Sequence, residues 1–154
     1  MKVTMSGSTQ IGVPLGAAMK FSTDLREIAM CIPTAQDFSQ LDERNFTMKI
    51  TLSIAFIKGT FDVKGALIEQ AAGHLVYSIS GAGIGSTLKV VLTIDLSQKD
   101  VSLTEIAWRS DVELGGLVGG VSESVIRKVS EDKIEEIVAN VKARLEGQGR
   151  GEVR

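Results

Sequence analysis

One cysteine and one histidine are all that 154 residues contain of either type, and that scarcity removes several chemistries at once. Cys31 alone can form no intramolecular disulfide and no multi-cysteine metal site. Flanked by Met30 and Ile32 on an expected short helix, it reads as a small buried hydrophobe rather than a reactive nucleophile. His74 would have to carry any Ser-His-Asp or Cys-His arrangement by itself. It follows Gly73 in an expected turn, where a solvated histidine is the plain reading. The carboxylates Asp95, Glu105 and Asp111 fall on the polar faces of their strands, so no metal-ligand set and no cofactor is implied.

Charge of one sign is lacking too. Seventeen Lys and Arg against nineteen Asp and Glu leave a formal charge of -2, which offers no basic field for nucleic acid and names no partner by electrostatics. No apolar run approaches the roughly 18 residues of a membrane helix, and the first residues lack the charged-then-apolar layout of a secretory signal. The expectation is a cytoplasmic protein that meets a membrane at most peripherally, on its inner face. A chain of this length suits one domain, able to bury roughly 70% of the surface it exposes when unfolded.

Lys2 to Gln10 alternates Val3 and Met5 against Thr4 and Ser6 and suits a first strand. Pro14 fits the first turn of a short helix ending near Thr23; Asp24 fits the N-cap of a second, Leu25 to Cys31, which Pro33 stops. Beyond this insert Phe46, Met48, Ile50, Leu52, Ile54 and Phe56 alternate with Thr47, Lys49, Thr51, Ser53 and Ala55. The same period of two returns in Phe61, Val63, Gly65 and Leu67, then in Leu75, Tyr77 and Ile79. Leu88, Val90, Leu92, Ile94 and Leu96 repeat it, as do Ile106, Trp108, Ser110, Val112 and Leu114. Lys58-Gly59, Ala72-Gly73, Gly83 to Ser86 and Gln98 to Asp100 supply the turns of an antiparallel meander. After Leu114 the pattern reads as helix to about Leu145. The fold class is therefore α+β: a curved antiparallel sheet of about seven strands, two short helices after strand 1, and a long C-terminal helix packed over the sheet's apolar face. Residues 1–146 form the domain and 147–154 a flexible tail.

Gly115-Gly116-Leu117-Val118-Gly119-Gly120 has the spacing of a phosphate loop, but Val121 stands where that loop needs its lysine. Gly81-Ala82-Gly83-Ile84-Gly85 leads into a strand instead of the helix that a dinucleotide fingerprint opens, and reads as a bend or bulge. Gly115 with Gly119, and Gly116 with Gly120, would present bare backbone along one side of a helix start, against the sheet or against a bound molecule. Glycine there costs roughly 1 kcal/mol each relative to alanine, which implies a mobile start. Val121, Val125 and Val129 step by four, whereas Ile134, Val138, Val141 and Leu145 resume on the order of 140° further round the helix. The helix must wrap or bend, either at a break capped by Ser130 or along a line through Ile126 and Ile137. A wedge is left between helix and sheet. Met48, Ile50, Phe61, Tyr77, Leu92, Trp108, Val121 and Val125 are expected to line it, as a pocket for a hydrophobic ligand or as filled core, with Gly115, Gly116, Gly119 and Gly120 as its gate. Tyr77, Trp108 and Ser110 could give such a ligand directional hydrogen bonds.

Five stretches resemble, in order and separation, those of the carbon monoxide dehydrogenase G-subunit family: Thr23-Asp24; Ala29-Met30-Cys31-Ile32-Pro33; Lys58-Gly59-Thr60-Phe61-Asp62; Ser80-Gly81-Ala82-Gly83; and Asp111-Val112-Glu113-Leu114-Gly115-Gly116. The likeness runs from about Met5 to Leu145 and lies within the helix-grip START and polyketide-cyclase superfamily. Met19, Leu25 and Thr34 depart from the family's usual tryptophan, proline and glycine. The resemblance implies a non-catalytic protein accessory to a carbon monoxide dehydrogenase-type molybdenum hydroxylase, assisting membrane attachment or electron delivery, with a lipid or quinone as its ligand. It transfers no catalytic residue. The alternatives are a cyclase or hydratase on the same fold, for which Tyr77 is the acid-base candidate, and a chaperone-like adaptor that works through its surface. Lys142, Arg144, Arg150 and Arg154 read as a complement to the helix dipole or as a basic membrane contact.

Overall fold

The period of two becomes seven antiparallel strands in the computed structural model, which describes the backbone from Met1 to Glu152 and side chains as far as Gly147. The elements are β1 (Lys2–Ile11), α1 (Leu15–Thr23), α2 (Leu25–Met30), β2 (Gln36–Gln40), β3 (Asn45–Ile54), β4 (Ile57–Ala71), β5 (His74–Gly83), β6 (Ser86–Asp100), β7 (Leu103–Gly115), α3 (Gly116–Gly119) and α4 (Glu123–Glu152). The sheet runs β1-β7-β6-β5-β4-β3-β2, so the chain's first strand closes onto its last. This is the helix-grip architecture. Register puts every apolar alternation on one face: Met5 stands opposite Ser110, Ser110 opposite Leu92, Leu92 opposite Tyr77 and Tyr77 opposite Leu67. Two inward rungs along, Leu114, Leu88, Gly81, Val63 and Met48 align.

Several boundaries differ from the sequence reading, each for a local reason. β2 carries Gln36, Asp37, Ser39 and Gln40, so it shows no alternation; it is a short polar edge with a register shift, the form in which a sheet edge resists further pairing. The β3–β4 turn is Ala55-Phe56 instead of Lys58-Gly59, because Ile54 pairs with Ile57 and continues the apolar face. Phe56 therefore leaves the inward series and sits 86% exposed at the tip. The β6–β7 turn falls at Val101-Ser102, just past Asp100. The β5–β6 turn is where Gly83 to Ser86 predicts it; Ile84 (φ 52°) and Gly85 (φ 62°) both take the left-handed region, as a two-residue type I′ hairpin requires.

The helical part starts later than the pattern after Leu114 suggests. Gly115 ends β7, α3 is a single turn, and α4 begins at Glu123. Val121 lies before α4, and no break occurs at Ser130; Ile126 and Leu145, both 2% exposed, anchor a continuous helix that Ile134, Ile137 and Val141 help to pack. α4 extends past Leu145, and the expected tail lies outside the described residues from Gln148 in its side chains and from Val153 in its backbone.

Polar ties fix how α4 lies. Arg127 Nη1 donates to the Thr4 carbonyl of β1 (3.1 Å), Asn140 Nδ2 to the Cys31 carbonyl (2.9 Å), and the Arg144 guanidinium to Glu27 on α2. Arg144 is thus a bond between helices more than a complement to the dipole, while the side chains of Arg150 and Arg154 lie outside the described residues. α2 begins as expected, with Asp24 Oδ1 accepting from the Glu27 amide at 3.2 Å. Phe21, Leu25, Ala29 and Cys31 bury the insert against one end of the sheet; a side chain such as Phe21 contributes about 2–3 kcal/mol by leaving water.

Candidate functional site

The apolar face is tightly filled at one end and loosely at the other. Under α1 and α2 the residues Ile11, Leu75, Tyr77, Leu96, Thr104 and Ile106 are buried. Further along the same strands Ile50, Leu52, Ile79, Leu88, Leu92, Ile94, Trp108 and Val112 pack against the core yet stay only half-buried, as do Ile134, Ile137 and Val141 on α4. These residues form a half-exposed apolar surface between the sheet and α4. Rings lie across this face at two glycines: a Cβ on Gly7 would stand 2.5 Å from Trp108 Cζ2, and one on Gly65 would enter the Phe46 ring. Glycine at these two strand positions lets an aromatic side chain lie across the sheet.

With register shifts in β4 and β6 turning Glu69 and Asp100 away, this face carries no Asp, Glu, Lys or Arg among the described strands. Its ionisable group is Tyr77, whose hydroxyl donates to the Ser22 carbonyl of α1. Burial, with the nearby charge of Asp24 adding to it, pushes that phenol up to about 12. A group so committed and so reluctant to ionise is poorly placed to exchange protons with a ligand. Cys31 is buried, its thiol pushed up by burial first and donating to the Glu27 carbonyl at 3.4 Å, as a structural cysteine does. His74 begins β5 on the outer face, bridged to Asp95 (2.6 Å) and Glu69 (3.1 Å); these carboxylates hold its charged form and raise its pKa. No group of His, Cys, Asp and Glu that could hold a metal occurs among the described residues.

The expected lining residues divide. Met48, Phe61, Tyr77 and Val121 are buried as core; Ile50, Leu92 and Trp108 are half-buried on the apolar face; Val125 is 37% exposed while its neighbour Ile126 takes the buried place. Leu52, Ile79, Leu88, Ile94 and Val112 belong to the same surface and were legible in the same alternation. Ile84 and Leu117 were not: turn and helix geometry bring Ile84 over Gly59, and Leu117 beside Gly85.

The four gate glycines do not form a bare stripe on a long helix. Gly115 closes a strand, and a Cβ there would meet Thr87 Oγ1 at 2.6 Å. Gly116 turns the corner at φ 69° against the backbone of Gly85 and Ser86, a conformation and a closeness that both require glycine. Ser86 Oγ, which bonds the Ile84 carbonyl, accepts from the Val118 amide, tying α3 to the β5–β6 turn. Gly119 would place a Cβ 3.0 Å from the Leu114 carbonyl, whereas Gly120 has room. The stretches around Gly59, Gly83 and Gly116 therefore converge at one end of the sheet, where a Cβ on Gly83 would enter the Thr60 carbonyl.

A family model described as the carbon monoxide dehydrogenase G-subunit, CoxG, matches residues 7–146. The chain belongs to this family. No curated protein matches it. Among solved structures, a conserved protein from Geobacillus kaustophilus is similar at TM-score 0.86 and 16% identity, covering 94% of this chain and 96% of its own. A START superfamily protein from Mycobacterium smegmatis follows at TM-score 0.75 and 13% identity, with 94% and 98% covered. The Zhui aromatase/cyclase from Streptomyces sp. R1128 gives 0.71 and 11%, with 95% of this chain and 94% of its own covered. At these identities the likeness establishes the fold of this CoxG family member, with its seven-strand sheet, the two short helices after β1 and the long C-terminal helix. No described helix is long and apolar enough to cross a membrane.

Proposed function

We propose that this CoxG family member is a non-catalytic carrier that holds a hydrophobic small molecule, a lipid or a quinone, in the cleft between sheet and α4. The observation that carries the reading is the half-buried, charge-free apolar face: it offers dispersion and burial but neither an ion pair nor a free acid or base. Ile50, Leu92 and Trp108 with Leu52, Ile79 and Leu88 make the floor, and Val125 the rim. The gate is placed at Gly115, Gly116, Gly119 and Gly120, with Gly116 as its fixed corner and Gly120 as its hinge, because α4 is bonded to α2 through Asn140 and Arg144 at its far half and near this end to β1 through Arg127.

Family membership supports the cellular side of the reading, an accessory of a carbon monoxide dehydrogenase-type molybdenum hydroxylase that aids its membrane attachment or electron delivery. Exposed Phe56, Ile84, Leu117 and Val125 gather at the gate end, which favours a cytoplasmic protein touching the inner membrane face peripherally there. Residues 1–146 act as one module on this account. The aromatase/cyclase of similar fold keeps a cyclase-type enzyme as the second reading, although the hydroxyl of Tyr77 is already bonded to Ser22.

Trp108 is the sole tryptophan and lies on the cleft floor, so its fluorescence reports occupancy. Added decylubiquinone should quench it saturably, and Leu92→Asp should weaken that quenching by burying a charge beside the ligand. Linear, non-saturating quenching shared by both proteins would sink the carrier reading.

A further inference from the structure

The opposite face of the sheet holds a recess of about 470 Å³, lined in part by Thr47, Lys49, Asp62, Lys64, Ser80 and Lys89, with Met48, Val63 and Leu88 of the intervening rung also contributing. Strand register arranges it as two adjacent rungs. One reads Thr47, Lys64, Ser80, Lys89 and the next Lys49, Asp62, Ala82, Thr87. Ser80 and Ala82 are short, so the floor dips between lysines whose Cα atoms lie two strand spacings, about 10 Å, apart.

The charges do not cancel. Lys49 is paired with Asp62 at 3.9 Å, a solvent-exposed contact that offsets part of its charge. Lys64 and Lys89 have no carboxylate partner among the described residues, and the hydroxyls of Thr47, Ser80 and Thr87 have no hydrogen-bond partner there either. Glu113 faces Lys89 from β7 but lies outside the recess, and Asp37, held at φ 53° on the polar edge strand, is the one unpaired carboxylate on its rim. Lys64 and Lys89 flank Ser80 on one rung, one on each neighbouring strand, so two ammonium groups and a hydroxyl border the same recess. A donor set of that kind suits a group with several acceptor oxygens and no hydrogen to give.

We infer that Lys64, Ser80 and Lys89 form a binding site for a phosphate-class oxyanion, supplied either by a soluble phosphate ester or by the headgroup of an anionic lipid. The site is separate from the cleft, which lies behind the sheet, and does not depend on what the cleft carries.

Inorganic pyrophosphate titrated into the ¹⁵N-labelled full chain at constant ionic strength should shift the amides of Lys64, Ser80 to Ala82 and Thr87 to Lys89 saturably. Lys64→Gln with Lys89→Gln should weaken the affinity about tenfold or more, and Asp37→Asn should strengthen it severalfold by removing the rim charge. Both changes are at exposed positions, and an unaltered amide spectrum elsewhere confirms the fold. Sedimentation with phosphatidylglycerol vesicles against phosphatidylcholine vesicles separates the sources. Retention on the anionic vesicles that the double substitution abolishes assigns the headgroup; pyrophosphate binding without vesicle retention assigns a soluble ester. Shifts spread equally over distant lysines such as Lys2 and Lys128, or a double variant that titrates like the parent, would overturn the site.

Discussion

Alanine placed separately at Gly116 and Gly120 distinguishes the corner of the fold from the proposed hinge. Gly116 sits at φ 69°, and a Cβ there would stand 3.0 Å from both the Gly85 carbonyl carbon and Ser86 Cα, with the Gly85 oxygen closer still. The left-handed backbone costs a non-glycine residue roughly 1–2 kcal/mol. Main-chain neighbours cannot rotate away, so crowding adds about 1–3 kcal/mol. The sum, about 2–5 kcal/mol, is a large share of the roughly 5–15 kcal/mol that stabilises a domain. Gly120 takes φ -90° and ψ -5°, and its prospective Cβ meets nothing nearer than the Leu117 carbonyl at 3.5 Å. Alanine fits there and should add about 0.4–1 kcal/mol by restricting the unfolded chain. At an m-value of about 2 kcal/mol/M, Gly116→Ala lowers the urea midpoint by about 1–2.5 M and Gly120→Ala raises it by a few tenths. The same Gly120→Ala should slow the approach of Trp108 quenching to saturation while leaving its amplitude unchanged. A Gly116→Ala protein with the parent midpoint would refute the corner, and Gly120→Ala with unaltered uptake kinetics would remove the hinge.

Tyr77 is the sole tyrosine, so absorbance near 295 nm titrates it directly. With its pKa raised to about 12 from an ordinary 10, its contribution to stability is complete below pH 10 and disappears as pH rises through 12; ionisation near 10 in a still-folded protein contradicts the burial. Tyr77→Phe leaves the Ser22 carbonyl without its donor and should cost about 1–3 kcal/mol in urea unfolding. His74 is also raised, by Asp95 first and Glu69 second, so its share of stability is full below its unfolded value near 6.5 and fades as pH rises through the higher folded value; His74→Gln should flatten the urea midpoint against pH across that window. Arg144→Ala removes the tie to Glu27 at a partly exposed site, for about 1 kcal/mol, and should speed hydrogen exchange in the second half of α4 more than in the sheet.

The sheet was legible because burial on one face imposes a period of two, and that period survives in Phe46 to Ile54 and Leu88 to Leu96 without help from the rest of the chain. β2 was not, since an edge strand with a solvated face and a polar sequence carries no such signal. Turn chemistry predicted Gly83 to Ser86 correctly but misplaced the β3–β4 turn, where Ala55 at φ 54° occupies a place that residue preference assigns to Lys58-Gly59. The glycine cluster was read with the wrong geometry. Four glycines spaced by four read as a helix stripe, whereas the packing of Gly116 on Gly85 comes from two turns remote in sequence, which no local pattern encodes. The apolar lining was legible as a face; which members are filled core and which remain half-exposed depends on how far α1, α2 and α4 cover the sheet, a tertiary quantity. The outer recess left no mark at all, because Lys64, Ser80 and Lys89 are ordinary polar-face residues until register sets them side by side.

The carrier reading is tested most directly by what the protein holds when it leaves the cell. Purified from its native host, extracted with organic solvent and examined by mass spectrometry, it should yield a near-stoichiometric isoprenoid quinone or lipid. Leu92→Asp, purified in parallel, should yield far less. An extract without bound lipid from a folded protein, together with no saturable quenching by added quinones, would contradict the cleft as a carrier and shift the weight to the enzyme or adaptor reading.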